Sequence, residues 1–313
     1  ARDAGLRTKG TDPDAAPSYP SPRMGAQIGA GLIAAEVNEL TAALATATAD
    51  GSPNGAFDFA KWGAAGMQQL TPLWLLKYLP NMLACHVTII HDTQGPSNTI
   101  TCNEASAALS VGESLRVIQR GAADACFCGG ADSKVNPMAL LRQVYAGLLN
   151  TDAAEQEDAA HAVRPFDATS RGAAAGEGGA IVILENLDTF RARAAGEGRT
   201  AYAEVLGFGA SQTVNPAARN ALPDPEGRGI HNAIRAALRE GGASPDAVDL
   251  IIPFGSGHPA GDAAEAAALR AVFGDRLSAI PLRPVRGLTG NCGAGGGGLD
   301  ICVAACALRD QVI

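Results

Sequence analysis

The sequence predicts an α/β fold, on three observations. Strand-like runs alternate with helix-like stretches, glycine gathers at the junctions between them, and the composition is that of a globular chain. Of the 313 residues, 47% are apolar, 18% charged and 4% aromatic, which excludes a disordered or collagen-like chain. Domains commonly run to roughly 100–200 residues, so the length fits two domains or one large unit. Glycine and charged residues interrupt the pattern at Arg191–Arg199, which sets the expected division into residues 1–195 and 196–313.

Each element follows from local pattern. Apolar or alternating runs predict strands at Val87–Ile90, Thr99–Cys102, Ala125–Cys128, Ala180–Leu184, Tyr202–Gly207, Val248–Pro253 and Ala279–Leu282. Helical spacing fits Ala30–Thr46, Ala105–Arg120, Pro137–Leu149, Gly229–Glu240, Asp262–Phe273 and Leu299–Arg309. In the second of these helices, Ala108, Val111, Leu115 and Ile118 form one apolar stripe. The proline-rich Asp12–Arg23 reads as irregular chain, and loops are expected at Ala49–Phe57 and at the acidic Asn150–His161.

Charge and cysteine content narrow the function. Asp and Glu outnumber Lys and Arg by 32 to 24, a net charge of −8, and no basic cluster offers nucleic acid or an anionic membrane a footprint. No run reaches the roughly 18 apolar residues of a membrane span. The seven cysteines include no CxxC pair and read as small buried hydrophobes of a reducing, cytoplasmic compartment. Cys126 and Cys128 share a strand face; Cys302 and Cys306 share a helix face. His86 and His91 lack the partners that zinc requires, so neither a metal nor a nucleotide cofactor is expected.

Four segments carry chemistry. Gly95 to Ser106 runs from a turn through a short β-branched strand into a helix, and Glu104 sits at that elbow with Cys102 two positions before it. Such elbows hold nucleophiles, because the helix N-terminus gathers unpaired N–H groups that favour an anion. Arg164-Pro165-Phe166-Asp167 is followed by Gly176-Glu177-Gly178-Gly179. The third segment is Phe254-Gly255-Ser256-Gly257-His258-Pro259-Ala260-Gly261-Asp262, with Glu265 one turn on. The fourth, Arg286-Gly287-Leu288-Thr289-Gly290-Asn291-Cys292 and the run to Gly298, opens the last helix.

In this order the four segments resemble the β-ketoacyl synthase (ketosynthase) family of the thiolase superfamily, from about Met24 to the end. Leu79-Pro80-Asn81-Met82, the Gly129-Gly130-Ala131 turn and Pro259-Ala260-Gly261-Asp262 add to the likeness. The resemblance implies a thiolase-like, layered α-β-α-β-α sandwich of two similar halves. The family's opening strand and closing glycine-rich segment are not found, so the expected fold is truncated at both ends.

The family's condensing enzymes, 3-oxoacyl-[acyl-carrier-protein] synthases, use one Cys and two His. Laid on those motifs, the Cys position holds Glu104, and the two His positions hold Phe254 and Asn291. Asp262, Glu265, Thr289, Gly290, Arg164, Phe166, Asp167 and Glu177 match family residues, and Arg286 replaces a family Lys, keeping a charge that Glu265 would pair with. Ser256, His258 and Thr289 fall at implied substrate contacts. Condensation needs a thiolate, for which a carboxylate is a poor substitute. Losing one donor to a developing oxyanion costs about 10²–10³ in rate, and a phenyl ring donates nothing.

Three readings follow. The first is a non-condensing subunit resembling the chain-length-factor partners of active ketosynthases in fatty acid or polyketide biosynthesis, working with acyl carrier protein. The second is an active acyltransferase with a rearranged site, using Cys102 with His258. The third is a purely structural dimer partner, paired with a ketosynthase or a second copy through the strand Asn98–Cys102. Each residue also has a plain structural reading. Glu104 would cap the Ala105 helix, Asp262 and Glu265 would cap the next, and Cys102 would be a packed small side chain. His258 would be a satisfied loop residue, and Gly293–Gly298 a packing turn.

Overall fold

Met24–Ala30 forms the first strand, β1, and all seven of its residues are buried, as in a strand covered on both faces. The computed structural model describes residues 1–312 apart from 49, 51, 53–54, 153–160, 196–197 and 216–222. Most of the Asn150–His161 loop, and parts of the Ala49–Phe57 loop and the Arg191–Arg199 division, therefore lie outside the described residues. In chain order the helices α1 (Val37–Thr46), α2 (Phe59–Lys61) and α3 (Met82–His91) precede β2 (Ser97–Ile100). Then come α4 (Ser106–Gln119), β3 (Ala125–Ser133), α5 (Pro137–Tyr145), β4 (Glu177–Glu185) and α6 (Leu187–Ala194). The later part of the chain is helical: α7 (Arg228–Glu240), α8 (Pro259–Phe273), α9 (Arg286–Thr289) and α10 (Gly296–Asp310).

The strands make one sheet in the order β2-β1-β3-β4, with β1 parallel to both β2 and β3 and β4 antiparallel to β3. On one face Ala26, Ile28 and Phe127 pack on Ala84, Leu83 and Val87 of α3. On the other, α4 lies over β1 and β3 beside α10, which covers β4. Cys126 packs there with Val117 and Ile118. Beyond α4 comes a further layer: the Phe208 ring lies against Gly112, and the backbone at Gly207 and Gly209 rests on Ala233 and Ala237 of α7. Arg116 of α4 pairs with Glu240 of α7 at 2.5 Å. This stacking of helix, sheet, helix, chain and helix is the layered arrangement of the thiolase-like fold.

Several expected elements change. Val87–Ile90 belongs to α3, because Val87 is needed on the face that meets β1 while Ile89 and Ile90 stay exposed. The alanine-rich Ala30–Thr46 begins as sheet and becomes helical only at Val37; small residues suit a doubly covered strand as well as a helix. Thr99–Cys102 stops pairing at Ile100. Gly129-Gly130-Ala131 is strand, not turn, in register with Ile28, Gly29 and Ala30. Gly129 is needed there: its φ is +128°, and a Cβ would come within 2.1 Å of the Ala180 carbonyl oxygen. On α4, Ala108 is exposed and Leu115 half-buried, while Ser106, Ser110 and Ser114 are buried, so the inner face is partly hydroxylic. Ser110 Oγ accepts from Gly129 N and donates to Gly129 O, both at 2.8 Å, stitching α4 to the sheet.

Tyr202–Gly207, Val248–Pro253 and Ala279–Leu282 form no named strand among the described residues. A single parallel bridge joins Ile251 to Leu282, made by Ile251 N to Pro281 O and Arg283 N to Ile251 O. Prolines at 253, 281 and 284 remove the donors that would extend it.

Candidate functional site

The elbow begins where β2 stops pairing. Asn103 turns the chain with φ +51°, a conformation Asn tolerates, and a short 3₁₀ turn over Asn103–Ala105 feeds α4. Ser106 ties the elbow together: its Oγ accepts from Cys102 N at 2.8 Å and donates to Asn103 O at 2.6 Å. No side chain caps α4, so Glu104 is not the helix cap. Its Oε1 instead accepts a hydrogen bond from Asn291 Nδ2 at 3.0 Å, which brings the first and fourth motifs together. Cys102 lies past the strand and is exposed, so it is neither packed nor on a shared strand face.

Asn291 is 6% exposed and held from several sides. Its backbone N donates to Ala174 O at 2.8 Å and its carbonyl accepts from Gly176 N at 3.0 Å, bringing the second and fourth motifs together. Its Oδ1 accepts from Gly293 N at 2.9 Å, which fixes the amide orientation. Thr289 Oγ1 donates back to the carbonyls of Val285 and Gly290. The neighbouring Cys292 thiol is buried, and burial holds its pKa up.

The third motif is organised by two carboxylates. Glu265, 8% exposed, accepts from Phe254 N at 2.8 Å and from Gly255 N at 2.9 Å. Asp262 accepts from Phe166 N at 2.8 Å, Gly257 N at 3.1 Å and Ser256 Oγ at 3.1 Å. Neither caps α8. That place is taken by His258, whose Nδ1 accepts from Gly261 N over a long 3.5 Å, with Pro259 as the first helical residue. Ser256 Oγ also accepts from His258 N at 3.0 Å. The polar atoms of Ser256, and those described for His258 and Thr289, are thus engaged within their own loops.

Arg286 corrects another expectation. It is 1% exposed, yet its partner is Asp300, gripped by two bonds of 2.8 and 2.7 Å, rather than Glu265. The guanidinium also lies 5.2 Å from the centre of the Phe254 ring, so a ring occupies the space over the charge. Burial raises the Glu265 carboxyl above the usual carboxylate range, opposed by the two backbone donors. Asp300 is likewise raised by burial, against the pull of Arg286. Asp132 accepts from Ala294 N at 3.0 Å and pairs with Lys134 at 2.9 Å, which anchors the glycine-rich loop to β3. That glycine run is a packing seam: Gly295 and Gly298 meet β4 backbone.

Sequence reasoning missed Asp300, Asp132 and Lys134. Asp300 carries one signal, an acid in the first turns of a helix that follows a buried cation, but nothing in the pattern ranks it above Glu265. A cleft of about 400 Å³ beside α8, lined by Phe166, Ala266, Leu269 and Arg270 among others, contains neither Glu104 nor Asn291. Among the described residues, no cluster of three or more His, Cys, Asp or Glu is placed to hold a metal, and no helix is long and apolar enough to cross a membrane.

Comparison with known proteins matches both parts of the chain. The model for "Beta-ketoacyl synthase, N-terminal domain" covers residues 10–189, and that for "Beta-ketoacyl synthase, C-terminal domain" covers 202–313. The 3-oxoacyl-[acyl-carrier-protein] synthase 2 of Staphylococcus aureus is 29% identical over 248 residues, 79% of this chain and 59% of that protein. The protein of the same name from Coxiella burnetii is 30% identical over 247 residues, 79% of this chain and 57% of its own. The chain thus spans under three fifths of these curated relatives. Among solved structures, "The ishigamide ketosynthase/chain length factor" is 26% identical with a TM-score of 0.71, covering 92% of this chain and 63% of that one. The AntDE:AntF complex, a type II PKS acyl-carrier protein with its ketosynthase, is 22% identical with a TM-score of 0.78, covering 99% and 69%, and shows the fold alone.

Proposed function

The chain belongs to the β-ketoacyl synthase family, and from that premise we propose that it is a non-condensing partner subunit of an active ketosynthase. One observation carries the reading: Glu104 stands at the elbow in a hydrogen bond with Asn291, where the family would place a thiol and an imidazole. A carboxylate held by an amide cannot take up an acyl group as a stable thioester. Phe254, at the other imidazole position, carries no donor and stacks on a buried guanidinium. With both donors to an enolate oxygen changed, malonyl decarboxylation is disfavoured as well. The backbone frame around these positions is nonetheless closely built, which fits a subunit retained for assembly.

The chemistry of the relatives supports acyl carrier protein and a ketosynthase as the partners. Strand β2 offers the docking edge: it is the outer strand of the sheet, and Ser97 and Asn98 are exposed. The division into residues 1–195 and 196–313 is kept as part of this proposal.

The test is to purify the chain alone, and with a candidate ketosynthase, and to supply acyl- and malonyl-carrier protein. A stable complex that condenses, beside a chain that alone neither condenses nor decarboxylates, is the expected result; robust turnover by the chain alone would sink the reading. The exposure of Cys102 favours one alternative, an acyltransferase with a rearranged site using Cys102 and His258. Acylation by a thioester probe that disappears in Cys102→Ala would establish it.

A further inference from the structure

We propose that Glu104 and Asn291 form a cross-tie between the two halves of the chain, with Glu104 acting as a positioning residue that holds the elbow against the glycine-rich loop. The proposal rests on the reading of Glu104 as unreactive and states what the carboxylate does instead.

The two residues are 187 positions apart and meet at 3.0 Å. Asn291 is the fixed member. Its backbone is bonded to Ala174 and Gly176, and its Oδ1 is taken by Gly293 N, so Nδ2 is the end left to face Glu104. At 6% exposure, that N–H would be stranded without an acceptor, and a buried orphan donor is expensive. The elbow is the member that needs holding. Cys102 has left the ladder, Asn103 is in a left-handed turn, and Ser106 has already used its hydroxyl on Cys102 N and Asn103 O. The 3₁₀ turns at Asn103–Ala105 and Gly293–Gly295 are in contact, so the bond fastens surfaces already meeting. What the fold requires of position 104 is an acceptor of the right reach, and the charge is secondary.

Four variants of the full chain test this by denaturant unfolding. Glu104→Ala strands the amide and shifts the unfolding equilibrium by about tenfold. Glu104→Gln keeps an oxygen in reach and stays close to the parent. The double variant Glu104→Ala/Asn291→Ala loses less than the two single losses combined, since both remove the same bond. Asn291→Asp brings two carboxylates to about 3 Å, where both cannot ionise. Its deficit at neutral pH therefore shrinks as pH falls and the pair takes up a proton, a pH dependence that a packing defect lacks. The cross-tie is overturned by Glu104→Ala unfolding like the parent, by Glu104→Gln being as damaging as Glu104→Ala, by additive losses, or by a deficit in Asn291→Asp that ignores pH. Turnover by the unaltered chain would overturn the non-condensing reading and leave these couplings as they are, so the two failures are distinguishable.

Discussion

The two halves hold their backbones by different means. In the N-terminal half a four-stranded sheet satisfies the chain: β1 is bonded on both sides and sealed by α3 on one face and α4 on the other. Within the C-terminal half the described residues form one parallel bridge; the Phe254 loop is held by side chains, and the Asn291 loop by a second bridge to Ala175 together with its own side chain. Glu265 and Asp262 accept the N–H groups of Phe254, Gly255 and Gly257, and Arg286 with Asp300 forms a buried floor beneath the ring. A ladder spreads its stabilisation over many equivalent bonds. A loop tied by buried charges concentrates it in a few, so single substitutions reach further there.

The sharpest way to break this contrast is Arg286→Met. It leaves the half-buried Asp300 without its buried partner, and the expected loss is about 3 kcal/mol, read as a lowered denaturant midpoint. An unchanged midpoint would show that the loops are held by something else. Glu265→Ala follows, because it strands two backbone donors at once. A loss of about 2–3 kcal/mol is expected, with fast hydrogen exchange confined to Phe254 and Gly255, and Glu265→Gln recovers part of it. In the sheet, Gly129→Ala must move the Ala180 carbonyl and abandon a positive φ, at about 1–3 kcal/mol. That is a large effect for one methyl, but it should leave exchange in the Phe254 loop untouched.

Acid and base distinguish the two desolvated acids beside the Phe254 loop from the Arg23-paired Asp124 in direction. Glu265 and Asp300 are raised in the folded chain, so their contribution is complete below the ordinary carboxylate range and lost as pH rises through their raised values. Asp124 in the N-terminal half is held down by Arg23, so its contribution is present above the ordinary range and lost as pH falls through its depressed value. Melting temperature against pH should therefore show a shallower alkaline-side decline in Glu265→Gln and a shallower acid-side decline in Asp124→Asn. The same flattening in both variants would erase the distinction. The smallest effect belongs to Arg116→Ala. Its ion pair with Glu240 bridges the halves but is open to solvent, and no resolvable shift in melting temperature is expected.

Legibility in the sequence divided along another line, between helices and strands. Helices α4, α5, α7, α8 and α10 lie close to where their apolar spacing and terminal residues put them, because a helix is specified by neighbours along the chain. Strand-like patterns were less reliable. Val87–Ile90 has the composition of a strand and is helix, since a four-residue β-branched run cannot say what will pair with it. In the site, order and spacing of motifs brought out Glu104, Phe254 and Asn291, and the structure places Glu104 against Asn291. Partner choice was illegible: Arg286 was expected to meet Glu265 and meets Asp300, and Glu104, expected to cap α4, meets Asn291 instead.

By itself, then, the sequence determined the α/β class and the course of the major helices, both of which depend on composition and short-range spacing. The tertiary structure alone decided which acid holds which cation, that α3 takes the β-branched run, and that the elbow carboxylate turns to an amide 187 residues away. Those choices depend on distances through space, and buried charges select among rival partners by a few tenths of a nanometre that no local pattern encodes.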